Sequence, residues 1–337
     1  MTDQQAKETY LSRILLDSKN REFICDDAVK GTYGKGYNYK DSDVRRLQFT
    51  VDALGMTSDC YILYAIAHLG CATKDTIVAF LTAIANKYPD LHIVYGKDNI
   101  NERLRFMYGI GLVQKIFYDV YLGPNNKRER ITLYITTEDG VGYVKQHLKK
   151  RTTYNNAFYT KHIKDLVGWG CAAYIGSTLA EKHNGFVEFS EGVLRTKQMG
   201  SMFFPCEWKA KVADTMYYVA FQPSYLEFDK SYMTKIDYAD CCLNVVETIR
   251  NYINCRTKKG IPCVVVVVED NKDLNNIVLN IMASGNMNGL LSNIFFTGEG
   301  AILGHRGNEK SAFYQIMLDP DAKEGYSIVS CKAPFMP

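Results

Sequence analysis

The chain has 337 residues, 47% of them apolar, with 40 Lys and Arg against 37 Asp and Glu. That length and composition predict two domains of ordinary size, each with enough apolar content to bury a core without staples. No run of 18 apolar residues occurs, and Met1-Thr-Asp-Gln-Gln5 lacks a basic stretch followed by an apolar one, so neither a membrane span nor a secretory signal is expected and the protein should be cytoplasmic.

Residues 1–54 read as a helical and loop extension. Residues 3–18 fit an amphipathic helix with Leu11, Ile14 and Leu15 on one side, and Gly31 to Lys40 is a glycine- and tyrosine-rich connector. An arm touching nucleic acid through Lys35, Tyr37, Tyr39 and Lys40 is the alternative for that loop. Thr57 or Ser58 then caps a helix carrying Ile62, Ala65, Ile66 and Leu69, which Gly70 ends. Thr73 caps a second, with Ile77, Leu81, Ile84 and Tyr88 inward and Pro89 as its stop.

A third helix is expected from Asp98, a good N-cap, to Gly111, a good C-cap. Ile100, Leu104 and Met107 form its buried stripe, so Asn99, Glu102, Arg105 and Phe106 project away from the core, with Asn101 at the border. Asn and Arg on an open helix face can hydrogen-bond base edges or phosphates. Next, Leu112 to Leu122 reads as a strand, Gly123-Pro-Asn-Asn126 as a turn and Ile131 to Ile135 as the returning strand, with Lys127, Arg128 and Arg130 at the tip. Two helices, a polar-faced third and a hairpin with a cationic tip follow the order of a winged helix-turn-helix. The charge distribution agrees: residues 55–153 hold 13 basic and 9 acidic side chains, while the segments before and after are balanced to within one charge. A helix-plus-hairpin module that docks protein is the alternative.

Thr137 should cap a further helix, Glu138 to Lys150, with Val141, Val144 and Leu148 inward; Lys149-Lys-Arg151 at its end suits the helix dipole, or phosphate contact. The winged helix therefore occupies 55–153 and a second domain 154–337. In that domain His162 to Ala180 is a long helix (Ile163, Leu166, Val167, Ala173, Tyr174). Strands are expected at Gly185–Phe189, Met202–Lys209, Thr215–Phe221 and Tyr225–Asp229, the last two joined by a Gln222-Pro-Ser224 turn. Tyr238 to Cys255 is a helix with Cys242, Val246, Ile249 and Ile253 at its seam. Pro262 to Val268, with five consecutive valines, reads as a central parallel strand. Asp273 should cap a helix bearing Leu274, Ile277, Val278 and Ile281, and Asn293–Thr297 completes a βαβ unit. The fold class is α/β, a winged helix followed by a mixed-sheet α/β domain.

Several strings resemble the replication-relaxation family of bacterial plasmids and conjugative elements. Asn101 to Val113 is similar to a recognition helix closing in "x-G-L-V", and Leu133 to Gly140 to the "Y-x-L-T-x-x-G" strand-to-helix step. Ala213-Asp-Thr215 resembles "P-D-A", and Leu226-Glu-Phe-Asp-Lys230 resembles "L-E-x-D-R". The resemblance implies a DNA-binding accessory protein of a mobile element, acting in replication, mobilisation or their regulation. It further implies a C-terminal domain of degenerate PD-(D/E)xK nuclease-like topology, with double-stranded DNA and a relaxase or replication protein as partners. A homodimer is also compatible with it.

In the nuclease alternative, Asp214 and Glu227 hold Mg²⁺ and a lysine completes the site. The lysine position holds Asp229, with Lys230 one residue on, and Glu207-Trp-Lys209 lies upstream of Asp214, the wrong order. A non-enzymatic protein without cofactor or metal is therefore expected. The ten cysteines include no Cys-x-x-Cys pair, no phosphate-binding G-x-x-x-x-G-K-[ST] loop occurs, and Trp169 and Trp208 are expected in the core.

Overall fold

The structure is a computed structural model that describes residues 22–25, 58–90, 93, 96–109, 111–122, 127–148, 165–190, 193–196, 200–224, 235–268, 271–285, 289–298, 301–302 and 308–336. The expected helix at 3–18, the Gly31–Lys40 loop and the Tyr225–Asp229 strand lie outside these residues.

A short strand β1 (Glu22–Cys25) precedes helices α1 (Ser58–Leu69), α2 (Lys74–Lys87) and α3 (Lys97–Gly109). Strands β2 (Val113–Leu122) and β3 (Lys127–Thr136) form an antiparallel hairpin, with β1 added to the free edge of β2, and α4 (Glu138–Leu148) follows. Two of these helix ends lie where their capping residues place them. Thr73 accepts a hydrogen bond from the Thr76 N–H (3.1 Å), as an N-cap should, and Gly70 takes φ 82° to end α1. Helix α1 is buried on nearly every side from Cys60 to Leu69.

The remainder is a mixed α/β arrangement. In chain order come α5 (Asp165–Lys182), β4 (Phe186–Phe189), β5 (Val193–Thr196), β6 (Gly200–Phe203), β7 (Cys206–Val212), β8 (Thr215–Pro223), α6 (Lys235–Arg256), β9 (Ile261–Val267), α7 (Asn271–Ala283), β10 (Ile294–Thr297), β11 (Phe313–Leu318) and β12 (Tyr326–Cys331). The sheet order is β12-β11-β10-β9-β8-β7-β4; β8, β9 and β10 are parallel and the other pairs antiparallel. The valine-rich strand β9 is central and parallel to both neighbours, and its residues from Cys263 to Val267 are buried on both faces, as its composition implies.

Alternate residues of the sheet serve two cores. Val264, Val266, Ile294 and Phe296 meet Val246, Ile249 and Ile253 of α6 and Ile277 and Ile281 of α7. On the other face Trp208, Phe221, Val265 and Phe295 meet α5, and that cluster runs without a break into Phe80, Ile100 and Leu104 of the N-terminal helices. Close approach makes the junction: Trp169 donates its Nε1–H to the Leu69 carbonyl (2.6 Å), and Phe80 of α2 stacks on Phe189 with ring centroids 4.0 Å apart. A Cβ on Gly176 of α5 would lie 2.8 Å from Cys206, so the helix sits on the sheet at a distance only glycine permits. Both tryptophans are core residues, as expected, and Trp208 donates to the Gly176 carbonyl.

Several local expectations need correction. Tyr88 is 45% exposed, whereas Phe80 is fully buried, because α2 is covered on one side by α3 and on another by α5 and β4. Gln222 and Pro223 continue β8, and Ser224 donates its N–H to Val267; both edges of β8 are taken, by β7 and β9, so this is no hairpin turn. The strand expected at 202–209 is divided at Phe204-Pro205 into β6 and β7. Asp273 lies inside α7, where its carboxylate accepts from the Ser224 hydroxyl.

Candidate functional site

Helix α3 starts earlier than Asp98. The Gly96 carbonyl accepts from the Ile100 N–H (3.0 Å), which makes Gly96 the N-cap and places Asp98 within the first turn. The buried stripe is as expected, with Ile100, Leu104 and Met107 fully enclosed. Asn99, Glu102 and Arg105 are exposed, and Asn101 and Phe106 are half-buried.

The C-terminal end of α3 is closed by a Schellman arrangement. Leu112 donates to the Met107 carbonyl (2.9 Å), Gly111 donates to that of Tyr108 (3.1 Å), and Gly111 takes φ 78°. Thr137 then ties this end of α3 to the start of α4. Its hydroxyl donates to the Gly111 carbonyl (2.8 Å) and accepts from the Gly140 N–H (3.1 Å), and its own N–H donates to Leu112 (3.1 Å). A Cβ at Gly140 would stand 2.2 Å from the Leu112 carbonyl oxygen. The Thr-x-x-Gly spacing noted in the sequence thus has a physical reason: threonine for two caps, glycine for the backbone that passes over it.

Further contacts fix α3 against its surroundings. Arg103 Nε lies 3.5 Å from the buried Asp59 carboxylate of α1, and burial raises the Asp59 carboxyl above its usual range by more than the guanidinium lowers it. Lys115 of β2 sits 4.2 Å over the Tyr108 ring. Burial likewise raises the Tyr134 phenol, and the Arg105 cation pulls the other way. Tyr134 also pairs through its backbone with Ala72, in the link between α1 and α2, by bonds of 2.8 and 3.0 Å. That single bridge joins the first helical pair to the hairpin. No sequence period signals it, since one residue carries it.

In the hairpin, Lys127 pairs with Leu122, Arg128 with Tyr121 and Arg130 with Asp119, which puts these cations at the end of β3 next to the 123–126 connection. The helix α3 and this end of the hairpin are therefore held on one frame.

Of the residues of the nuclease alternative, Asp214 alone is among those described. Asp214 is fully exposed in the tight turn between β7 and β8, beside Ala213 at φ 51°, with Lys211 Nζ 3.7 Å away. Glu227, Asp229 and Lys230 lie outside the described residues. Glu207 of β7 is buried and committed elsewhere: it accepts from the Tyr252 hydroxyl (3.0 Å), and its two oxygens take Arg256 Nη2 at 2.8 and 3.0 Å. Burial raises its carboxyl above the usual range, with Arg256 and Tyr252 opposing. Among the described residues no group of three or more His, Cys, Asp and Glu could hold a metal ion, and no helix is long and apolar enough to cross a membrane. No protein-family model matches the chain, and no curated protein matches it.

Proposed function

We propose that this chain is a non-catalytic DNA-binding accessory protein of a bacterial mobile element, acting in the cytoplasm in replication, mobilisation or their regulation. Residues 55–153 serve as a winged helix-turn-helix, with α3 in the major groove and the β2–β3 hairpin as a wing over the phosphates. The observation that carries this reading is the division of α3: an apolar stripe at zero exposure on one side, and Asn99 and Arg105 open on the other, with the cationic end of the hairpin next in the chain. The Ala72–Tyr134 bridge supports it, because it makes helices and hairpin one unit. The place in a mobile element rests on the family resemblance, as does a relaxase or replication protein as partner. An antiparallel β7–β8 pair beside a parallel β8–β9 pair is compatible with a nuclease-like frame retained for contact instead of cleavage.

Arg105 tests the reading of bases. With duplexes enriched from a random pool by the purified protein, Arg105→Ala should lose discrimination at one base pair by roughly 10- to 100-fold, the worth of a bidentate contact. Non-specific affinity should fall much less. A variant that selects the same site with undiminished discrimination would remove α3 from the role of recognition helix.

A further inference from the structure

The last turn of α3 holds no basic side chain, although the C-terminal end of a helix carries partial negative charge. The Leu112 and Gly111 N–H groups satisfy the carbonyls of Met107 and Tyr108, but they bring no full positive charge to that end. A residue of the next element does. Half-buried Lys115 of β2 holds its ammonium 4.2 Å from the centroid of the Tyr108 ring, over the final turn of α3. Asn101, Arg105 and Tyr108 stand at i, i+4 and i+7, which is one row along the helix. Lys115 therefore prolongs past the helix end the row to which exposed Arg105 belongs.

The register carries that row on into the hairpin. Lys115 has Tyr134 opposite it, whose phenol feels the Arg105 cation, and Arg130 and Arg128 occupy positions four and six residues before Tyr134 in β3. Even spacing keeps these three positions on one face of the ribbon. At about 3.3 Å per residue, the position of Arg130 is about 13 Å along β3 from that of Tyr134. Arg130 has the carboxylate-bearing Asp119 opposite it, whereas Lys115 faces an aromatic ring on both neighbours, Tyr134 and Tyr108.

We infer that Lys115 is a further phosphate-binding residue, seated where the C-terminal end of α3 meets the hairpin and gripping the DNA backbone between the groove read by α3 and the wing. The inference rests on the proposed DNA-binding reading. The Tyr108 ring positions the lysine at the place where the helix end would otherwise repel a phosphate. A phosphate contact carries no base sequence, so Lys115 fixes position and adds affinity for every duplex alike, unlike Arg105.

Anisotropy titrations of a random duplex at several salt concentrations test the assignment with the wild type, Lys115→Gln and Lys115→Arg. Lys115→Arg should keep the wild-type log–log slope, and Lys115→Gln should lower it by about one unit. Added to the replacement of Lys127, Arg128 and Arg130, Lys115→Gln should lower the slope by about one unit more. Discrimination between the enriched site and other duplexes should not change. Melting curves separate this role from a merely structural one, in which Lys115→Gln lowers the melting temperature and leaves the slope untouched. A wild type that binds with the expected salt dependence while Lys115→Gln keeps its full slope overturns this inference alone. A wild type that binds no duplex overturns the DNA-binding reading, and the inference with it.

Discussion

Gly140→Ala is expected to destabilise the protein by about 3 kcal/mol or more, the upper range for a forced clash in a packed interior. The added methyl would lie 2.2 Å from the Leu112 carbonyl oxygen, and that oxygen cannot retreat cheaply. Leu112 is held by its own N–H on Met107, and its carbonyl takes both the N–H and the hydroxyl of Thr137. Relieving the clash means opening the C-terminal cap of α3, the N-cap of α4, or both, each worth about 1 kcal/mol. Gly142, two residues on and exposed, supplies the control, because a Cβ there meets nothing within 4 Å. Gly142→Ala should stabilise by roughly 0.5–1 kcal/mol, the ordinary helix preference. Chemical denaturation of both variants checks the pair; equal and small effects would mean that the α3–α4 junction is not packed as described.

The second large effect belongs to the C-terminal anchor. Phe335 is fully buried, with ring centroids 5.4, 5.5 and 6.1 Å from Phe295, Phe313 and Trp208, and Phe335→Ala should cost about 3–5 kcal/mol. The same residue makes the stability depend on pH. Its carbonyl accepts from Nε2 of buried His183, while Nδ1 of that ring accepts from the Gly185 N–H (2.9 Å), a pattern only the neutral imidazole satisfies. Burial pushes His183 below its ordinary value, by more than the bond to Phe335 raises it. The unfolded chain then binds the proton more readily than the folded one, so this contribution is complete above the ordinary histidine range and is lost as pH falls through the lowered value. Denaturation midpoints should fall as the pH drops below the ordinary histidine value of about 6.5, and His183→Gln should flatten that slope. An unaltered slope would assign the acid sensitivity to other groups.

What could be read from the sequence was local or strongly periodic. The Thr73 and Thr137 caps and the Gly111 terminus depend on residues within a few positions, and each formed as the spacing implies. Five successive valines can only suit a strand covered on both faces, so β9 was legible as central. What failed depended on distant partners. Gly96 caps α3 through its carbonyl, and a glycine offers no side chain to announce it, so Asp98 stood in its place. Tyr88, expected inward, is exposed and Phe80 is buried because α2 is covered from two directions, which a single apolar stripe does not encode. The Gln222-Pro-Ser224 string has turn chemistry, yet β9, about 40 residues on, claims that edge of β8. Glu207 looked like half of an E-x-K pair, but Arg256, 49 residues away, neutralises it in the interior. Of the proposed DNA contacts, Asn99 and Arg105 are exposed as helical geometry requires, and Asn101 is half-buried at the border where it was placed. Lys127, Arg128 and Arg130, expected at a tip before a strand at 131–135, belong to β3, which begins at Lys127 and pairs them with Leu122, Tyr121 and Asp119.

The most direct test is fluorescence anisotropy of a random duplex titrated with the protein at roughly 50 and 200 mM salt, since phosphate binding releases counterions and weakens steeply over that range. The wild type should bind at micromolar concentration or tighter at the lower salt and lose at least about tenfold at the higher, and replacing Lys127, Arg128 and Arg130 together by alanine should lower the log–log slope by about three units. No binding at the lower salt, or a slope untouched by the triple replacement, would contradict the DNA-binding account and favour the reading of residues 55–153 as a protein-docking unit.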